Sequence, residues 1–128
     1  MTIPPENPNL EVLVGGIWAI ESIVQTPEVM LEDWSCFEVQ LPGLPGRSRH
    51  LAGSKMRNWH GQVSSPISFV DPATRRCTTR SGRAYELGER NGLTLNGEYV
   101  WHQWVRINQA SRIVDVTNEV IKMLSGHL

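Results

Sequence analysis

Hydrophobic and polar positions alternate with period two over much of the first ninety residues and shift to a helical period after that. In "GGIWAIESIVQ" Trp18, Ile20, Ser22 and Val24 alternate with Ile17, Ala19, Glu21 and Ile23, and the β-branched content predicts a strand. "SCFEVQL" sets Phe37, Val39 and Leu41 against Cys36, Glu38 and Gln40, a half-buried strand. "LPGLPGRS" interrupts it with two Pro-Gly turn signals. "RHLAGSKM" is a weaker strand, in which Gly53 marks a bulge or a close backbone approach. "GQVSSPISFVD" resumes β structure through Val63, Ile67 and Phe69, and Pro66 confines it to an edge or a bulge. Asp71-Pro72 then opens a type I turn.

The period changes after "NGLTLNG". In "EYVWHQWVRINQ" the apolar positions 100, 101, 104 and 105 follow helical spacing, so Trp101 and Trp104 share one side, as core or as a subunit contact. After a short "RIVDV", Thr117 is the expected N-cap of a second helix, with Val120, Ile121 and Leu124 as its buried stripe and Gly126 as its stop. The pattern predicts an α+β fold: a small antiparallel β-barrel or β-roll, SH3-like in size. Five or six short strands run from about residue 10 to 88, and helices lie near 98–109 and 117–125. Residues 1–9, rich in proline and asparagine, read as a flexible tail ahead of a single domain over 10–128.

One hairpin has a register that can be argued. "RRCTTRSGRAYELGER", residues 75–90, holds five arginines. A two-residue Ser81-Gly82 loop would set Arg80 directly opposite Arg83, a like-charge pair. A three-residue loop, Arg80-Ser81-Gly82, instead puts Gly82 at a left-handed bulge position and faces Arg76 with Glu86 and Cys77 with Tyr85. The bulged register is the expected one. It neutralises Arg76 and leaves Arg80 and Arg83 as the arginines free to hold an outside group.

Charge sharpens the picture. Residues 1–46 carry seven acids and no Lys or Arg, residues 47–90 carry nine bases against three acids, and the remainder balances. Neighbouring strands neutralising each other, or opposed faces of a dimer, explain this most simply; an anionic partner is the sharper alternative. On that alternative Arg47 and Arg49, Arg57 with Trp59, and Arg80 and Arg83 are the candidate binding residues. Trp59 offers a stacking surface for single-stranded nucleic acid, although plugging one end of the barrel is its simpler role. His50, His60, His102 and His127 lack metal-ligand spacing, so neither metal nor cofactor is expected. No catalytic motif stands out: a Cys77–His60 pair is allowed, Cys36 and Cys77 read as reduced core thiols, and Glu32-Asp33 as solvated acids beside a strand start. No stretch is long and apolar enough for a membrane helix, and "MTIPPENPNL" lacks the character of a secretory signal, so a cytoplasmic protein is expected.

"GQVSSPISFVDPATRRCTTRSGRAYELGE", "YVWHQWVRIN" and "DVTNEV" resemble short bacterial proteins of mobile elements, of the integron gene-cassette type, over about residues 60–120. The resemblance implies a bacterial accessory protein and transfers no catalytic residue. The leading expectation is a non-enzymatic binding module, a partly open barrel whose basic face meets nucleic acid or an acidic protein surface. The alternatives are a ligand-binding or catalytic barrel, with a pocket between the sheet and the C-terminal helices near Trp101, Trp104 and Tyr85, and a self-associating protein, a homodimer or other homo-oligomer with no nucleic-acid role.

Overall fold

The structure, a computed structural model, describes residues 10–13, 16–19 and 28–126. The tail over 1–9, residues 20–25 of the first predicted strand and His127 lie outside the described residues. Among them are nine strands: β1 (Leu10–Leu13), β2 (Gly16–Ala19), β3 (Glu28–Gln40), β4 (Ser48–Lys55), β5 (Gly61–Val63), β6 (Ile67–Asp71), β7 (Arg76–Thr79), β8 (Ala84–Leu87) and β9 (Ser111–Asp115). Helix α1 (Leu95–Asn108) precedes β9, and α2 (Thr117–Leu124) follows it. β1 and β2 form an antiparallel pair, and the other strands form one sheet in the order β5-β4-β3-β8-β7-β6, with β9 also paired to β3.

The α+β class stands, and the antiparallel barrel is corrected in two respects. β3 runs parallel to β8, so the sheet is mixed. No ladder joins β6 back to β4 or β5, so it is not closed. It is nevertheless rolled. Gln62 on β5 donates to the hydroxyl of Tyr85 on β8 at 2.8 Å, across three strand spacings that would span about 14 Å in a flat sheet.

β3 organises the molecule. Along one edge it pairs with β4; along the other it pairs with β8 over its first residues and with β9 over its last. Its alternation breaks at Asp33, which has φ +49° and sits where the register with β4 slips. Val29 and Leu31 point to the core before this bulge; Trp34 and Cys36 do so after it. Opposite the bulge is Gly53, where a Cβ would collide with Leu31 Cδ2 and lie 3.0 Å from Trp34 Cβ, the close approach read from the sequence. The bulge also corrects the reading of Glu32 and Asp33. They lie inside a long strand, and both pair with Arg90, while Glu32 also accepts from the Arg90 amide at 2.8 Å.

The two helices cover different parts of the sheet. α2 closes a core of Leu31, Cys36, Leu51, Cys77 and Tyr85 through Val120 and Leu124. α1 closes a second core of Val39, Ala52 and Val63 through Val100, Trp101 and Trp104. Phe37 stacks on Trp101 at 4.3 Å between ring centroids, and Trp101 on Trp104 at 5.3 Å. The expected pocket position is therefore packed, and Tyr85 belongs to the other core. α1 starts three residues before the expected boundary because the Thr94 side chain accepts from the Gly97 amide at 3.1 Å and caps it. Thr117 is the first residue of α2, not its cap. Its hydroxyl accepts from the Cys36 amide at 3.0 Å and donates to Asp115 Oδ1 at 2.6 Å, tying α2 to β3.

Candidate functional site

The arginine hairpin has the bulged register. Arg76 faces Glu86, Cys77 faces Tyr85, and Gly82 closes the three-residue loop at φ +93°. Arg76 lies 3.5 Å from Glu86 and 3.0 Å from Glu28. Arg80 projects at the turn, exposed. Arg83 does not: only 2% of its surface is exposed, because it faces inward with Tyr85 and Leu87, and it is withdrawn as a surface grip. Arg75 spends its guanidinium on the carbonyls of Leu87 and Gly88.

The remaining candidates lie far apart. Arg57 and Trp59 sit in the β4–β5 turn, past one end of β4, and Arg47 and Arg49 sit at the other end, separated by roughly 25 Å of strand. Trp59 is half exposed and does not plug the roll. The charge asymmetry resolves mainly within the sheet. Glu28, Glu32, Asp33 and Glu38 of β3 meet Arg76, Arg90, Arg47 and Arg49 of neighbouring segments. Among the described residues, the acids of β3 thus lie beside basic residues of neighbouring segments.

The allowed Cys77–His60 pair is not brought together. Cys77 is buried on β7 while His60 is exposed in a turn. Burial pushes both thiols up to about 12, with the charge of Cys77 adding to the rise at Cys36. Among the described residues no cluster of three or more His, Cys, Asp or Glu side chains could hold a metal.

Arg47 and Arg49 do have a setting. They open onto a groove of about 560 Å³ whose walls come from β6 and α2. Ile67, Ser68, Phe69 and Val70 supply one wall, and Val120 and Met123, three apart on one helical side, supply the other. Glu38 lies between the arginines, 3.5 Å from the Nε of each, and Glu119 reaches Arg49 at 3.4 Å. Arg47 also donates to the carbonyl of Arg112 on β9. Arg47 and Arg49, candidates on charge alone, have half-buried side chains at this groove, whose apolar walls had no signal in the sequence. Phe69, expected on a strand at an edge or a bulge, is 61% exposed. Pro66 announced this in the sequence, and β6 is both the terminal strand and irregular.

The chain matches no family model, no curated protein and no solved structure in these comparisons. No helix among the described residues is long and apolar enough to cross a membrane.

Proposed function

We propose that the chain is a non-enzymatic binding module whose anionic partner is an acidic protein segment, taken up in the groove between β6 and α2. The rolled sheet is then a partly open barrel, and the groove is its open side. The carrying observation is the meeting of two arginines with apolar walls in one open groove. Apolar enclosure with a few convergent polar groups is the usual make-up of a binding site. Nucleic acid is the weaker candidate, because the acids of β3 already answer much of the basic block, and phosphate binding draws on several unopposed cations at once. The same pairing removes the charge argument for a dimer of opposed acidic and basic halves. The resemblance of residues 60–120 gives such a module the setting of a bacterial cytoplasmic accessory protein.

Fluorescence titration tests the choice. Labelled single- and double-stranded DNA and RNA should show no binding at ~50 mM salt, whereas extended peptides of apolar and acidic residues should bind. Nucleic-acid binding at that salt which vanishes at ~200 mM, together with no peptide binding, would reverse the assignment.

A further inference from the structure

Resting on that reading, we infer that the groove takes its partner as an added β-strand on the free edge of β6, the partner being an extended segment with an acidic side chain near Arg47 and Arg49. The geometry of β6 is the first support. Alternate residues of a strand point to opposite faces, but the register of β6 with β7 slips between Ile67 and Phe69, and four consecutive residues, Ile67 to Val70, border the groove. A groove that runs along the edge of this irregular strand meets residues of both its faces. β6 is the terminal strand of the sheet and pairs only with β7 among the described residues. Its outer edge therefore carries no strand ladder among the described residues.

Exposed edges are ordinarily blunted by charge, proline, bulges or a covering element, and of these β6 has an irregularity near its start, between Ile67 and Phe69. Ile67 to Val70 carry no charge, and Phe69 stands out into solvent. Pro66 before the strand and Pro72 after it limit its length. At about 3.3 Å per residue, β6 offers an edge of roughly 17 Å. α2 then serves as the opposite wall, where the flexible thioether of Met123 suits side chains of varied shape. Strand addition beside a helix gives affinity through main-chain hydrogen bonds and selectivity through pockets for alternate side chains.

The charged end of the groove is the second support. Glu38 and Glu119 hold the two arginines only at 3.4–3.5 Å, longer than a well-formed charge-assisted hydrogen bond. Each guanidinium has five donors in a fork that matches a carboxylate, so an incoming acid can be accepted without breaking a tight pair. β9 is a contrasting edge. Its five residues are exposed, but Arg112 bends it at φ +51°, and the Arg112 carbonyl is already taken by Arg47.

The test uses the whole chain and synthetic peptides of alternating apolar residues carrying one glutamate, with amidated C-termini. Affinity is compared with glutamine counterparts and with peptides N-methylated at every second amide, in both phases. Binding is expected to survive methylation in one phase and to fail in the other, since only alternate amides face β6. Glu→Gln in the peptide, or Arg49→Ala in the protein, should weaken binding about tenfold, and Arg49→Lys should recover part of the loss. Hydrogen exchange should slow at residues 67–71. Binding that ignores the methylation phase would overturn strand addition and leave the module reading standing. Affinity that ignores the glutamate would overturn the acidic side chain. No binding by any peptide would sink the module reading itself.

Discussion

His50 has no solvent exposure, yet both ring nitrogens are satisfied. Nδ1 lies 2.8 Å from the carbonyl of Ser64, which can only accept, so Nδ1 carries the proton and Nε2 accepts from the Ser48 hydroxyl at 2.7 Å. Burial lowers its pKa from 6.5 to about 4, with the charge of Arg80 acting in the same direction and the Ser64 bond opposing. The fold therefore favours the neutral ring. In the unfolded chain the ring takes its proton near 6.5, so between 6.5 and 4 the unfolded state binds more protons. His50 thus contributes stability that is fully present above pH 6.5 and lost as pH falls towards 4, by about 3 kcal/mol. Urea unfolding across this window should show the fall, and His50→Gln should flatten it; an unchanged slope in the variant would assign the effect elsewhere. Two glycines separate conformational from steric cost. Gly82→Ala meets no atom within 4 Å but must hold φ +93°, a cost of about 1 kcal/mol or more. Gly53→Ala drives a methyl into Leu31 and Trp34 opposite the β3 bulge, about 1–3 kcal/mol. Denaturant midpoints should rank Gly53→Ala as the more damaging; the reverse order would remove the close approach as the reason for Gly53.

At the scale of elements, legibility follows the range of the interaction. The β7–β8 hairpin was readable to the exact pairs because a three-residue loop fixes its register locally, and charge and apolar matching exclude the alternative. The second half of β3 was readable from strict alternation. Its first half was not, because the bulge at Asp33 shifts the phase: Leu31 and Trp34, three apart, both point inward. Nothing local announces the parallel pairing of β3 with β8, whose partners lie more than fifty residues apart. The groove was invisible for the same reason, since its walls come from β6 and α2 and only the fold brings them together. The start of α1 was missed differently. The change of period was placed after "NGLTLNG", yet Thr94 caps the helix. Removing that cap gives a direct check. Thr94→Ala should cost about 1 kcal/mol, and Thr94→Asn should retain most of the stability. Thermal melts of the pair decide it: equal losses would show that packing of Trp101 and Trp104, and not the cap, holds the first turn.

For the whole molecule, the question is whether the rolled sheet opens as one unit. Cys36 on β3 and Cys77 on β7 sit in one core closed by α2, and both are free and fully buried. The sheet order puts β8 between their strands, so separate loosening of the β6–β8 meander would expose Cys77 while leaving Cys36 protected by β4 and α2. Several cross-links oppose such partial opening. Tyr85 on β8 accepts from Gln62 on β5, Trp34 on β3 donates to the carbonyl of Gly88 at 2.9 Å, and the Arg80 amide donates to the carbonyl of Pro66 at 2.8 Å. Together they bind the meander to both β3 and the β5–β6 connection. Both thiols should therefore react only through global unfolding. Labelling under native conditions should proceed at one common rate, and its free energy should depend on denaturant with the slope of complete unfolding. Thr117→Val supplies a control. It removes the hydroxyl that joins Asp115 to the Cys36 amide, so it should weaken the α2–β3 junction and speed labelling at Cys36 ahead of Cys77. Faster labelling of Cys77 in the unaltered chain, with a shallow denaturant dependence, would show that the meander opens alone and that the cross-links from Gln62 and Trp34 do not hold it.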